Sequence, residues 1–189
     1  MRVPSFDEAG GWADGAPFDE AEEELSSRPA KAKPAKASAR DPMSAAVAAL
    51  SRREYSRREL REKLSRKFPE SAGGVDAALD RLEEKGYLSN SRFAERFVRE
   101  KASRYGVSRL RLELREKGLA SEEIEEALAG LEESDEDRAY RIWEKKFGEP
   151  PEDERERGRQ ARFLASRGFS YSVISRVFDR GRREQEENS

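Results

Sequence analysis

Cysteine and histidine are both absent from the 189 residues. The first absence removes disulfides, thiol nucleophiles and thiolate metal sites; the second removes the commonest general base and the commonest metal ligand. No apolar run approaches the ~20 residues of a membrane-spanning helix, and the N-terminus lacks the apolar core of a signal peptide. A soluble, cytoplasmic chain without a membrane partner is therefore expected. Apolar residues are also scarce, 35% against 41% charged, too few for one large globular interior. Thin packing with much solvated surface fits that balance. No stretch sustains the alternation of β-branched residues that marks a strand.

Catalytic signatures are missing as well. There is no Walker motif, no dinucleotide fingerprint and no nucleophile elbow, and Gly73-Gly74 has neither a preceding strand nor a following Lys-Ser/Thr, so it reads as a turn. Carboxylates are the only abundant candidates for acid/base or Mg²⁺ chemistry. They lie in runs such as 122–126 and 132–137, which look like solvated helix faces. No catalytic residue, metal site or cofactor is assigned. The expected function is binding, not enzymatic.

What is present is a repeat. Residues 106–131, GVSRLRLELREKGLASEEIEEALAGL, read as two short helices. Leu110 and Leu114 sit one turn apart, Gly118 supplies a left-handed stop, and Ser121 can cap a second helix faced by Ile124, Ala127, Leu128 and Leu131. A shift of 50 residues carries Leu114 to Leu164, Gly118 to Gly168, Ile124 to Ile174 and Leu128 to Phe178. A shift back by 50 carries Leu110 and Leu114 to Leu60 and Leu64; beyond that point the earlier copy slips by one, matching Val75, Leu79 and Leu82. At the same offset a preceding helix pairs Phe93 and Phe97 with Trp143 and Phe147, and with Met43 and Val47. A unit of about 50 residues used three times belongs with helical repeat arrays.

Charge is segregated along this repeat. The net charge of −2 hides +5 over residues 43–68, +5 over 89–118 and +7 over 155–183, whereas 119–137 hold nine acids and no base. Blocks of one sign can be solvated faces or can pair between helices. Their alternation along an array also suits a basic binding surface.

In chain order, residues 1–41 have the composition of a disordered extension, with Phe6, Trp12 and Phe18 isolated and a linker-like RPAKAKPAKASAR. Repeat one spans 42–88. Its first helix carries Met43, Val47 and Leu50 and ends near residue 54; its second starts from the capping box Ser56–Glu59; its third covers about 74–85 and stops at Gly86, with Tyr87 and Leu88 folding back. Repeat two, 89–133, opens at Ser89, and Gly106 ends its first helix. Repeat three, 134–181, opens at Ser134. Trp143 and Phe147 are packing positions there, the next helix covers 153–166, and Gln160 stands where the other copies have leucine. Residues 182–189 read as a frayed tail. The fold class is all-α: an elongated, curved array of three tandem three-helix repeats behind a disordered N-terminal tail.

Three-helix units are also how many DNA readers are built, but the last helix of repeat two is acidic and would be repelled by phosphate. Repeat three is better suited, with Arg176 and Arg180. A basic stripe from the first two helices of each unit is the better candidate surface.

The segments YSRRELREKL, VDAALDRLEEKGYLSNSRFAERFV, LELREKGLASEEIEEAL and RQARFLASRGFSYSVISRVF, taken together, resemble the RecX regulatory proteins of bacteria over about residues 43–178. That resemblance implies a modulator of the RecA recombinase, which forms filaments on single-stranded DNA. Family members bind the filament, lie along its groove and damp its ATPase and strand-exchange activities, and so bear on recombination and DNA repair. The expected partners are RecA and its nucleoprotein filament, with direct contact to single-stranded DNA also open, and the chain is expected to be a monomer. The candidate partner-binding residues are Arg57, Arg58 and Arg61 in the first unit and Arg104, Arg109 and Arg111 in the second. In the third they are Arg155, Arg157, Arg159, Arg162 and Arg167. For any single arginine the competing reading is a solvated or internally paired side chain. The alternative function is a direct DNA-binding repeat protein that competes for single strands.

Overall fold

The structure, a computed structural model, describes residues 41–187. Within them the chain forms α1 (Pro42–Leu50), α2 (Arg57–Lys67), α3 (Ala72–Glu84), α4 (Asn90–Lys101), α5 (Val107–Glu116), α6 (Ser121–Ala129), α7 (Asp135–Lys146), α8 (Glu154–Ala165) and α9 (Tyr171–Glu187). No strand occurs among the described residues, and none of these helices is long and apolar enough to cross a membrane. The expected disordered tail lies outside the described residues except for Asp41, whose carboxylate accepts the Ser44 N–H at 3.0 Å and caps α1 ahead of Pro42.

Extensive helix packing is confined to the triplets α1–α3, α4–α6 and α7–α9. Each triplet has its own interior, so no single core is shared. Leu60 and Leu64, Leu110 and Leu114, and Leu164 are at most 1% exposed, and they close against Val75 and Leu79, Ile124 and Leu128, and Ile174 and Phe178. Burying one such side chain contributes roughly 1.5–3 kcal/mol, which explains how helices of 9–17 residues hold together despite their charge. The second and third helices thus follow the expected offsets.

The first helices do not. Val47 is 50% exposed and Phe147 is only half-buried, whereas Ala46, Ala94 and Ala139 are each fully buried. These alanines stand five residues after the caps Asp41, Ser89 and Ser134, so the caps set the register, with offsets of 48 and 45 instead of 50. The connections between triplets differ in length, and the difference accumulates there.

Repeat three differs inside. Trp143 is 1% exposed, and its indole N–H donates to the Gln160 side-chain oxygen at 2.6 Å. The Gln160 amide in turn donates to the Glu149 carbonyl at 3.2 Å. A Cβ on Gly181 would lie 2.5 Å from the indole ring, so glycine there makes room for it. By cap and offset the same three places hold Val98, Leu110 and Leu131 in repeat two. A larger ring with a donor has replaced valine, and its two leucine neighbours have become an acceptor and a glycine.

Several local expectations are corrected. The first helix ends at Leu50, and α4 ends at Lys101, well before Gly106, which is instead the N-cap of α5. Ser121 is the first helical residue of α6; its cap is Ala120, and the Glu123 carboxylate accepts the Ala120 N–H at 2.8 Å in place of a cap side chain. Leu88 folds back and is buried, but Tyr87 is 64% exposed. Residues 182–187 are helical, not a frayed tail: Arg180 pairs with Glu184 at 2.9 Å, Arg182 with Asp179, and the Tyr140 hydroxyl donates to Glu184. Burial, then the Glu184 carboxylate, pushes the Tyr140 phenol up to about 12.

Candidate functional site

Successive triplets meet through a joint that is built twice. At the first, the Arg57 N–H that opens α2 donates to Asn90 Oδ1 at 3.0 Å, and Ser56 Oγ donates to the Lys117 carbonyl at 2.8 Å. At the second, the Val107 N–H that opens α5 donates to the Asp135 carboxylate at 3.2 Å, and the Gly106 N–H donates to the Arg167 carbonyl at 2.9 Å. Asn90 and Asp135 each directly follow a serine cap, and Lys117 and Arg167 are 50 residues apart. The orphan N–H groups of one triplet's second helix are therefore satisfied by the next triplet. Close approach requires the turn glycines. Gly118, at φ +81°, would place a Cβ 2.9 Å from Arg58, and Gly168, at φ +85°, would place one 2.6 Å from the Arg109 backbone nitrogen.

Beside each joint lies a groove. The first, about 280 Å³, is lined by Arg53, Arg96, Lys101 and Lys117 but also by Glu54, Glu59 and Glu100. Lys117 is paired with Glu59 across the joint, Arg96 pairs with Glu100 at 2.7 Å, and Arg53 pairs with Glu59 at 3.4 Å. The second, about 660 Å³, is lined by Arg104, Arg109, Lys145, Lys146 and Arg167 and by no acid. Arg104, Lys145 and Lys146 are exposed and have no carboxylate partner among the described residues. Arg109 packs over Tyr105, 4.7 Å from its centroid, pairs with Glu113 at 3.0 Å and donates to the Ser166 carbonyl at 3.1 Å. Arg167 lies 3.8 Å over the Phe163 ring. Burial raises the Glu113 carboxyl, but hydrogen bonds from Lys101 and Arg109 outweigh it and hold Glu113 below the usual range.

The candidate arginines fall into different settings. Arg57, Arg58 and Arg61 line one further concavity at the first joint, with Asn90 and Gly118. All three are engaged within their own triplet, two of them by α3: Arg57 by Asp80 at 2.5 Å and by Glu83, and Arg61 by both oxygens of Asp76 at 2.7 and 2.9 Å. Arg58 pairs with Glu62 at 3.0 Å. Arg111 forks onto Glu125 at 2.7 and 2.9 Å. The side-chain hydrogen bond that Arg57 donates to Asp80 holds its guanidinium above its ordinary value, and those donated to Asp76 and Glu125 do the same for Arg61 and Arg111. These three bases serve chiefly to bind the acidic third helices.

Arg104, Arg109 and Arg167 are brought together in the second groove. Arg155, Arg157, Arg159 and Arg162, all on α8, line neither joint groove. Arg159 pairs with Glu156 at 3.3 Å, and Arg157 sits 5.9 Å over Phe178. Sequence reasoning passed over Lys145 and Lys146. Two lysines in the last turn of a helix read as complements of the helix dipole, and the cue that could have singled them out is that the cap-aligned residues in repeat two are Glu100 and Lys101.

Comparison with known proteins follows the same divisions. The first, second and third three-helix domains of RecX match residues 43–82, 89–128 and 133–178, in that order. The chain is 50% identical to the regulatory protein RecX of Ralstonia pickettii over 132 residues, covering 70% of this chain and 82% of that one. It is 45% identical to the regulatory protein RecX of Pseudomonas putida over 130 residues, covering 68% and 83%. Among solved structures, RecX from Lactobacillus salivarius shares the fold, with a TM-score of 0.62 at 21% identity over 74% of this chain and 93% of that one. Three tandem triplets, the matching domain order and half-identical relatives place this chain in the RecX family of regulatory proteins.

Proposed function

We propose that this chain binds the RecA recombinase and its filament on single-stranded DNA, and that it damps ATP hydrolysis and strand exchange there. The observation that carries this reading is the chain's membership of the RecX family across all three domains. Physical supports accompany it. Three separate cores joined in tandem spread modest contacts over several places, and a ligand of that kind gains on an assembled polymer through effective concentration, whereas a free subunit engages only one place at a time. No catalytic group is needed for such an action. The candidate residues Arg104, Arg109 and Arg167 are the best placed for the contact, because they converge on one groove with Lys145 and Lys146.

The test is a titration of the chain into RecA turning over ATP on single-stranded DNA. Hydrolysis falls at fewer than one chain per recombinase subunit if the assembled filament is the target. Hydrolysis unchanged under saturating chain rejects the reading.

A further inference from the structure

The two joints are built alike, yet their grooves carry opposite electrostatic designs. Glu59 and Lys117 form an ion pair across the first joint. Fifty residues on, the same two places hold Arg109 and Arg167, both lining the second groove. Glu54 likewise becomes Arg104, and Glu100, by cap alignment, becomes Lys145. Three acids have turned into three bases, while the turn carbonyl and the first N–H of the second helix are still held across the joint. The first groove closes on itself; the second gathers five cations without an acid in its lining and is more than twice as large, about 660 Å³ against 280 Å³.

Like charges gathered in a concave, partly desolvated setting repel unless an anion neutralises them. We infer that the second-joint groove is a phosphate-binding site for the backbone of a nucleic-acid strand, and that the first joint is its self-neutralised counterpart. The ligand is read by charge and not by base. Each aromatic ring in the lining has a guanidinium over one face, Arg109 over Tyr105 and Arg167 over Phe163, which leaves less ring for a base to stack on. Covered in this way, the rings hold the two cations in place ahead of binding. An acidic protein segment is the competing occupant. Three exposed, unpaired cations in a lining without an acid favour the evenly charged phosphate backbone over it. The inference concerns bare nucleic acid and does not rest on action at a recombinase, so the two fail separately.

The test uses the full chain and a fluorescent 20-nucleotide oligo-dT probe, followed by anisotropy across salt. An abasic strand of the same length is a second probe, and polyglutamate is a competitor. The exposed pair is reversed in Lys145→Glu/Lys146→Glu. A second variant, Arg109→Glu, puts the acid of the first joint in the same place at the second and removes the cation, and its helicity is measured beside its affinity. The inference expects the two strands to bind within about threefold of each other and each variant to weaken binding by about tenfold or more at low salt. It also expects the double reversal to flatten the log–log salt slope by about 0.7 for each phosphate that the variant no longer neutralises. Unchanged affinity in both variants with helicity intact overturns the site. A strong preference for oligo-dT over the abasic strand overturns readout by charge alone, and displacement by polyglutamate at equal charge overturns the nucleic-acid assignment.

Discussion

At the residue scale, the departure most visible in the sequence, Gln160 in a leucine place, is settled by two other residues far from it in the chain. Trp143 supplies a buried N–H that needs an acceptor, Gln160 supplies it at 2.6 Å, and Gly181 leaves the volume the indole fills. Restoring the sister residue is therefore expected to harm. Gln160→Leu strands the indole N–H in an apolar interior and costs about 1–3 kcal/mol. Gly181→Ala presses a methyl onto a rigid ring and costs a similar ~1–3 kcal/mol. Urea unfolding followed by helical circular dichroism reads both. The Gly181→Ala cost should shrink when combined with Trp143→Phe, and equal costs in the two backgrounds would mean that glycine and indole are not coupled. The sequence displayed the oddity of Gln160 but not its reason, because the explanation needs the true register of α7, and that register does not follow the 50-residue offset.

At the scale of elements, most helices were legible because their causes are local. Ser56, Ser89, Ser134 and Asp153 cap as their sequence neighbours imply, and the leucine pairs of α2 and α5 face inward by spacing alone. The joints were not legible. Asn90 acts on Arg57, and Asp135 acts on Val107, across 33 and 28 residues, and neither carries a local mark of that task. The joints also differ in what they support. Asp135 holds the Val107 N–H and, in addition, the Arg138 guanidinium, which is 2% exposed and whose Nε has no hydrogen-bond partner among the described residues. Removing that carboxylate leaves a buried charge uncompensated, so Asp135→Ala should cost about 3 kcal/mol or more. Asn90→Ala gives up a neutral acceptor and should cost about 1–2 kcal/mol. Hydrogen exchange at the Val107 and Arg57 amides measures each joint by itself, and equal loosening at the two would contradict this ranking.

At the scale of the molecule, the charge blocks read from the sequence divide into two uses that composition alone could not separate. Much of the base on α2 and α5 meets acid on α3 and α6: Arg57 with Asp80, Arg61 with Asp76, Arg111 with Glu125. Much of the acidic run is thus the internal counterpart of the basic one, and exposed pairs of this kind add little stability each. Part of what is left over gathers at the second joint, where Arg104, Lys145 and Lys146 line one groove with no acid in its lining. Counting arginines in the sequence did not separate these two uses. It included Arg57, Arg61 and Arg111, which are held by neighbouring acids, and it omitted the two lysines, which line one groove with Arg104 and Arg167 only in the folded chain. Family membership and tandem construction together lead to the central claim, that this chain acts on a polymer through contacts spread along its repeats. A density map of the chain bound to an assembled RecA filament on single-stranded DNA tests that claim most directly. The account predicts one chain touching two or more consecutive recombinase subunits, with the second-joint groove against the filament; a chain held by one subunit alone, or that groove facing solvent, would contradict it.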